Sequence, residues 1–366
     1  MRRFLTPHAV GLPSTVPFTG PETLERQQGR PFRARLGANE SLFGPSPAAV
    51  RAMEAAAAEV WKYGDPENHD LKQALAAHHR IAPENLAIGP GIDGLLGLVC
   101  RLTLLPGDQV VTSFGAYPTF NFHVTNQGGG LNLIPYSGDH EDAGALLAAA
   151  RSVKARLLYL ANPDNPMGSH HLAGILESLV ADLPPETLLL LDEAYADLAP
   201  PGAIPEIAAD HPQVIRLRTF SKGYGLAGAR VGYAITNPEL ARAFDKLRDH
   251  FGMGRISQIG ALAALGDQAF LAAVRARVVE ARERVAGIAR ANGLIPLPSA
   301  TNFVTIDCGR DGAHARAILH ETLARGVFIR MPGVAPLDRC IRISLGDPAS
   351  LDVLEEVLPA AIRAAC

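Results

Sequence analysis

Five short apolar runs mark the first two-thirds of the chain, and each stops at a glycine or a polar residue. Leu86-Ala87-Ile88 stops at Gly89, Gln109 to Thr112 at Ser113-Phe114-Gly115, and Ala155 to Leu160 at Ala161-Asn162-Pro163. Thr187 to Leu191 stops at Asp192, and Val214 to Leu217 runs out near Thr219 to Lys222. Unbroken apolar runs of this length are the pattern of strands covered on both faces. Helical composition lies between them, as in Leu95 to Leu105, and before them in Ala48 to Trp61, where Ser46 can cap and Pro47 can take the first helical position. This alternation predicts an α/β layer with a mostly parallel sheet. Ligands of such sheets bind beyond the carboxyl ends of the strands, so five polar strand ends predict one shared site.

The pattern differs at the two ends of the chain. Residues 1–44 carry Pro13, Pro17, Gly20, Pro21 and Gly29 with little periodicity, and read as an extended arm. After about residue 250, one long helical stretch, Ala261 to Arg290, precedes short strands around Asn302 to Asp307, Val327 to Ile329 and Cys340 to Ile343. A last helix is expected from a Ser350 cap to Ala364. The expected division is an arm (1–44) packed with a smaller α+β domain (251–366), and a large domain between them (45–250).

At 366 residues and 48% hydrophobic content the chain can bury a large core. A net charge of −3 with no basic run gives no electrostatic reason to expect nucleic acid or an anionic membrane. No apolar stretch approaches the length of a membrane span. Pro7, His8 and Pro13 interrupt any leader-like apolar segment. The cysteines (Cys100, Cys308, Cys340, Cys366) lack Cys-x-x-Cys spacing and read as incidental thiols of a reducing compartment. The histidines fall in pairs such as His78-His79 and His170-His171, without metal-ligand spacing; they read as solvated, and no metal is expected.

The candidate chemistry centres on Lys222, one of five lysines against 29 arginines. It stands in Thr219-Phe220-Ser221-Lys222-Gly223-Tyr224-Gly225, with Arg230 eight residues on. A lysine beside a hydroxyl, an arginine and permissive backbone can hold a phosphorylated aldehyde as a Schiff base. Asp192 either pairs with a protonated ring nitrogen or caps a helix. Glu193, next to it, faces solvent or packs structurally. Asn162-Pro163-Asp164-Asn165-Pro166-Met167-Gly168 is either a turn or a turn that aims the Asn165 amide at a ring oxygen. Gly89-Pro90-Gly91-Ile92-Asp93-Gly94 has glycine spacing before a helix. It reads as a loop for one phosphate, since Asp108 lies before the next strand rather than after it, where a ribose-binding acid belongs. Tyr117 and Tyr63 can stack on a flat ring or fill loops. Arg342 in its strand, and Arg330 before it, bind an anion or face outward.

In this order the segments resemble the fold-type I, pyridoxal-phosphate-dependent class I/II aminotransferases, with the histidinol-phosphate aminotransferase branch the most similar. The resemblance runs from Gly37-Ala38-Asn39-Glu40 and Gly44-Pro45-Ser46-Pro47 to Arg342-Ile343-Ser344-Leu345-Gly346. It implies an aspartate aminotransferase-like fold with a mostly parallel seven-stranded sheet and a smaller α+β domain. It also implies pyridoxal 5'-phosphate as cofactor, a cytoplasmic homodimer and ping-pong transfer of an amino group to a 2-oxo acid such as 2-oxoglutarate. By resemblance, Lys222 forms the Schiff base and moves a proton, Asp192 pairs with the pyridine nitrogen, Asn165 and Tyr195 hold the ring oxygen, and Tyr117 stacks. Gly91, Ile92, Asp93, Thr219, Ser221 and Arg230 surround the phosphate, with Tyr63 reaching that of the neighbouring subunit. Asn39, Asn165, Arg330, Arg342 and Phe18 face the substrate, with Arg342 as carboxylate clamp.

The chain departs from the family pattern at Ser41, Gly94 and Met167. Phe18 lies near the place where histidinol-phosphate enzymes usually carry a tyrosine, whose hydroxyl turns to the substrate phosphate. Its absence leaves room for an aromatic or apolar donor. The other readings are a decarboxylase of the threonine-phosphate decarboxylase type, a nicotinamide-dependent oxidoreductase built on Gly89 to Gly94, and a non-catalytic regulator.

Overall fold

Seven strands lie side by side in the computed structural model, which describes residues 4–12 and 19–365. Their order across the sheet is Leu86–Gly89, Gly232–Ile235, Val214–Thr219, Leu188–Asp192, Leu157–Ala161, Gln109–Ser113 and Gly130–Ile134. Gly232–Ile235 runs antiparallel to both neighbours, and the other pairs are parallel. The sheet is therefore mostly parallel, with the five expected runs inside it. Two strands escaped the apolar pattern. Gly130–Ile134 is an edge strand and only half-buried, and Gly232–Ile235 hides in the glycine-rich segment after Lys222.

Period-two sorting explains why the runs are apolar throughout. Leu158, Leu160, Leu189 and Leu191 face a layer that includes Leu146 and Leu176. Leu157, Tyr159, Leu190 and Leu217 face the other layer, with Val99 and Phe120. Each fully buried leucine contributes about 1.5–3 kcal/mol over exposure.

A second core gathers Leu36, Val274, Ile306, Ile341, Leu354 and Leu358. It lies around the antiparallel strands Cys340–Ser344, Phe303–Asp307 and Ile295–Pro296, with the helices Gln268–Ala291, Gly312–Ala324 and Pro348–Ala364. Ala34–Arg35 joins this side by pairing in parallel with Val327–Phe328.

Several expectations need correction. The arm is not simply extended: it forms the helices Pro7–Gly11 and Pro21–Gln28. Pro7 and Pro21 sit at the first helical position, and Gly29 closes the second helix with left-handed backbone; Pro13 and Pro17 lie outside the described residues. Ser46 does cap with Pro47 behind it, but that helix stops at Ala57 rather than Trp61. The long helix splits into Arg255–Gly266 and Gln268–Ala291, because the Asp267 side chain accepts from the Phe270 amide and starts a new helix. The last helix starts at Pro348 under an Asp347 cap, and Ser350 supplies the amide that Asp347 accepts. His79 and His171 are half-buried rather than solvated: one ring bonds the Tyr233 hydroxyl at 2.9 Å, the other the Glu141 carbonyl at 2.8 Å. Cys100, Cys308 and Cys340 are free and buried. Among the described residues no single helix is long and apolar enough to cross a membrane.

Of the two readings for Glu193, the structural one holds. The residue is buried, and its carboxylate takes Arg216 Nη2 at 2.9 Å and Arg218 Nε at 2.7 Å, which ties the strand ending at Asp192 to the strand leading to Lys222. Burial works to raise its carboxyl pKa, but the two guanidiniums outweigh burial and hold it below the usual range. A folded-state value below the unfolded 4.5 means that the stabilisation is full above that pH and drains away as pH falls through the folded value. Glu193→Ala, which leaves two buried cations unpaired, is expected to cost about 3–5 kcal/mol in urea unfolding near neutral pH. The gap between the two proteins should narrow below about pH 4. Equal urea midpoints at neutral pH would exclude the bridge as a stabilising element.

Candidate active site

The polar strand ends converge on a cavity of about 260 Å³. Asp192 enters it from the end of its strand, Asn165 from the turn after Leu157–Ala161, and Thr219, Ser221 and Lys222 from the end of Val214–Thr219. Ile92 and Asp93 come from the first turn of the helix Gly91–Thr103. Tyr117, Tyr195 and Arg230 complete the wall.

Two glycines let the loop after Leu86–Gly89 close on this cavity. Gly91 has φ +78°, and a Cβ there would lie 2.3 Å from Arg230 Nη2. A Cβ on Gly232 would lie 2.8 Å from the Gly91 carbonyl carbon. Neither position can take a side chain without moving the loop or the arginine. The first-turn amides of Ile92 and Asp93 have no intrahelical partner, and Arg230 closes over them. Arg230 Nη1 donates to Ser221 Oγ at 3.3 Å, and its Nη2 is 4.0 Å from Asp93 Oδ2. The Thr219 hydroxyl also donates to Ser221 Oγ, at 2.8 Å. Two hydroxyls, a guanidinium and free amides form a cradle suited to a phosphate dianion.

Lys222 Nζ donates to the Asn39 carbonyl at 2.9 Å and lies 5.5 Å from the centre of the Tyr195 ring. Burial, with Arg342 next in weight, lowers its pKa to about 8, so about a tenth of the amine is unprotonated at neutral pH, far more than for an ordinary lysine. Asp192 moves the other way. It is 6% exposed, and burial raises its carboxyl pKa to about 6 against the donors Tyr159 and Ala194. A cationic ring nitrogen opposite it would restore its charge. Tyr195, pushed up to about 12 by burial, accepts from Asn39 Nδ2 at 3.2 Å. The Tyr117 hydroxyl donates to Asp93 Oδ1 at 2.8 Å, which fixes the ring at the cavity wall. A phosphorylated aromatic aldehyde therefore matches the donor set at both ends.

A second cavity, of about 350 Å³, opens beside the first and shares Tyr117 and Asn165 with it. Its walls include Phe114, Leu133 and Val334, and Arg330 and Arg342 both reach it. Arg342 does not face outward: it is 8% exposed, donates to Asn165 Oδ1 and packs 5.2 Å over the Phe303 ring. Its Nε has no partner, and burial lowers its pKa to about 10. Arg330 Nη2 donates to the Thr19 carbonyl at 2.7 Å.

Not every expected residue reaches these cavities. Tyr63 is 75% exposed and packs on Phe251 at 4.6 Å. Asn39 lies behind the first cavity, bonded to Tyr195 and Ser344. Phe18 lies outside the described residues. Sequence reasoning missed Tyr159, whose hydroxyl donates to Asp192 Oδ2 at 2.8 Å. The available signal was a lone hydroxyl inside an apolar strand. It also missed the buried carboxylates of Glu141 and Asp164. Ser113 Oγ donates to Glu141 at 2.5 Å, and Tyr136 Oη to Asp164 at 3.0 Å. Among the described residues no cluster of His, Cys, Asp and Glu fit to hold a metal occurs.

The family model of aminotransferase class I and II matches residues 34–358. The histidinol-phosphate aminotransferase of Moorella thermoacetica is 33% identical over 329 residues, covering 89% of this chain and 84% of that protein. That of Anaeromyxobacter sp. is 36% identical over 345 residues, covering 93% and 94%. Among solved structures, histidinol-phosphate aminotransferase from Sinorhizobium meliloti in complex with pyridoxal-5'-phosphate superposes with a TM-score of 0.96 at 54% identity, over 99% of this chain and 98% of that one. Aspartate aminotransferase from Thermus thermophilus with maleate, at 20% identity and a TM-score of 0.81, shares the fold.

The lowered Lys222 pKa gives a direct expectation. Labelling of Lys222 by trinitrobenzenesulfonate, followed by peptide mass mapping, should show a midpoint near pH 8. Arg342→Met, which removes a neighbouring positive charge, should raise that midpoint. A midpoint at the ordinary lysine value in the parent protein would contradict the geometry.

Proposed function

The chain belongs to the class I and II aminotransferases, and on that premise we propose that it transfers the amino group of histidinol phosphate to a 2-oxo acid such as 2-oxoglutarate, with pyridoxal 5'-phosphate in the Lys222 cavity. One observation carries the reading. A half-buried lysine and a buried carboxylate share one cavity with a phosphate cradle, and a second cavity with two arginines adjoins it. The names of the relatives and the cofactor in the Sinorhizobium meliloti structure support it.

When bound, pyridoxal phosphate supplies an aldehyde for an amine to condense with and a ring that takes up the electron pair left by the departing Cα proton. The protein's residues do the rest. Ser221, Thr219, Arg230 and the amides of Ile92 and Asp93, in the bed that Gly91 leaves open, hold the phosphate. Asp192 keeps a proton on the pyridine nitrogen by pairing with it. Asn165 and Tyr195 would hold the ring hydroxyl oxygen, and Tyr117 would pack against the ring. Lys222 would be the amine that holds the aldehyde carbon. The Lys222 Nζ would be the base that takes the donor's Cα proton and returns it to the carbon that had carried the aldehyde. Near-attack placement needs the donor's far end fixed, a task for Arg342 and Arg330.

The second cavity favours this donor. Phe114, Leu133 and Val334 offer apolar surface for an imidazole, while Arg330 and the unpartnered Nε of Arg342 offer donors for a phosphate. The same pair serves the carboxylates of a 2-oxo acid in the second half-reaction. We assign a homodimer as the working assembly, with Tyr63 reaching the partner's cofactor phosphate. Trp61, at 76% exposure, and the tilted Tyr63–Phe251 ring pair are large apolar groups left open to such a partner. Sedimentation should give twice 38.8 kDa, and a monomer at micromolar concentration would remove Tyr63 from the site.

A donor panel tests the reaction. Histidinol phosphate, phenylalanine and tyrosine are each mixed with holoenzyme and 2-oxoglutarate, and glutamate and carbon dioxide are measured. The highest kcat/KM is expected for histidinol phosphate, with one glutamate formed per donor. A higher value for phenylalanine or tyrosine would move the donor to the aromatic class. Carbon dioxide without glutamate would replace transfer by decarboxylation. Lys222→Ala should retain the cofactor without covalent attachment and lose at least ~1,000-fold in kcat.

A further inference from the structure

Asp192 is the only charged side chain in its strand, and among the described residues no cation lies within ion-pair distance of it. Two hydrogen bonds hold its carboxylate. The Ala194 amide donates to Oδ1 at 2.9 Å, and the Tyr159 hydroxyl donates to Oδ2 at 2.8 Å. With a donor on each oxygen, the carboxylate plane cannot turn without breaking a bond.

Tyr159 is placed for this by sheet register. It sits opposite Leu190 in the neighbouring strand, two residues before Asp192, so its side chain lies on the same face as the carboxylate. The ring is fully buried and stacks on Phe120 at 4.6 Å and 18°. Phe120 belongs to the helix Pro118–Asn126, which begins directly after Tyr117. The hydroxyl of a buried tyrosine costs stability unless it is bonded, and the bond seen for this one goes to Asp192. A phenylalanine would fill the same apolar layer without that cost. The hydroxyl is therefore kept for what it does to the carboxylate.

The direction of its effect follows from elementary electrostatics. Donating to a carboxylate favours the ionised form. Burial and the Asp93 carboxylate act against ionisation of Asp192, whereas Lys222 acts for it, along with the two hydrogen bonds. Resting on the cofactor reading above, we propose that Tyr159 is a positioning residue for the transfer: its hydroxyl locks the Asp192 carboxylate in orientation and keeps it ionised opposite the cofactor's pyridine nitrogen.

The test uses holoenzyme loaded with pyridoxal phosphate carrying ¹⁵N in the ring. In Tyr159→Phe the proton of the nitrogen–carboxylate pair should shift toward Asp192, so the ¹⁵N resonance should move toward the unprotonated position. The kcat for the amino donor should fall roughly tenfold while KM stays within about twofold. A second arm places 3-fluorotyrosine at position 159 alone. Its more acidic hydroxyl is a stronger donor, so the resonance should move toward the protonated position. Should Tyr159→Phe fail to fold, this arm decides by itself. A bound cofactor whose resonance is unchanged in the variants that fold would overturn the positioning role and leave the cofactor reading intact. A parent protein that takes up no pyridoxal phosphate would overturn both.

Discussion

Burial of charge at the ends of a fully covered sheet is the constraint on which the rest of the structure depends. Leucine layers on both faces of the central strands leave no water for an ion inside, so each charged side chain near a strand end needs a partner or a cavity. Glu193 and Asp192 show the two outcomes at adjacent positions. Glu193 meets two arginines of the next strand and becomes a tie between strands. Asp192 turns to the opposite face, meets two neutral donors and is left facing a cavity. The alternation of side chains along a strand separates a structural carboxylate from an available one.

The cavity uses this constraint in both directions. Burial lowers Lys222 to about 8 and raises Asp192 to about 6, so the base and the acid approach each other from ordinary values far apart. Groups displaced in this way mark the places where protons move. Around them the polar side chains hold one another. Asn39 contacts Tyr195, Ser344 and, through its carbonyl, Lys222, so a residue near the N-terminus links the end of the catalytic strand to the C-terminal sheet. That position requires a left-handed backbone, φ 55°, which asparagine tolerates better than most residues. Arg342 completes the arrangement from the other sheet, bonded to Asn165, which lines both cavities.

Much of this was legible in the chain. The five apolar runs appear as strands, and the ends at Ala161-Asn162-Pro163, Asp192 and Thr219 to Lys222 meet in one cavity, whereas Gly89 and Ser113-Phe114-Gly115 lie outside it. What was not legible has local causes. Pro7 and Pro21 look like interruptions, yet at a first helical position proline lacks only an amide that the helix does not use. Asp267 and Asp347 looked like ordinary polar residues, and each is a cap. Gly130–Ile134 is an edge strand with little apolar contrast, and Gly232–Ile235 reads as part of a flexible glycine segment until Gly89 and Thr219 are seen on either side of it.

The sequence by itself determined the α/β class, the family resemblance and the lysine, carboxylate and arginine residue types, because periodicity, turn chemistry and short motifs act over neighbouring residues. Only the tertiary structure decided partnership. Tyr159 reads as one more apolar-strand residue until strand register brings its hydroxyl to Asp192, 33 positions away. Arg342 can face outward by alternation alone until the packing of two sheets buries it beside Asn165. Glu193 is bound by arginines 23 and 25 residues ahead. Desolvation, hydrogen-bond satisfaction and displaced pKa values depend on what surrounds a group in space, and a linear chain does not contain that information until it has folded.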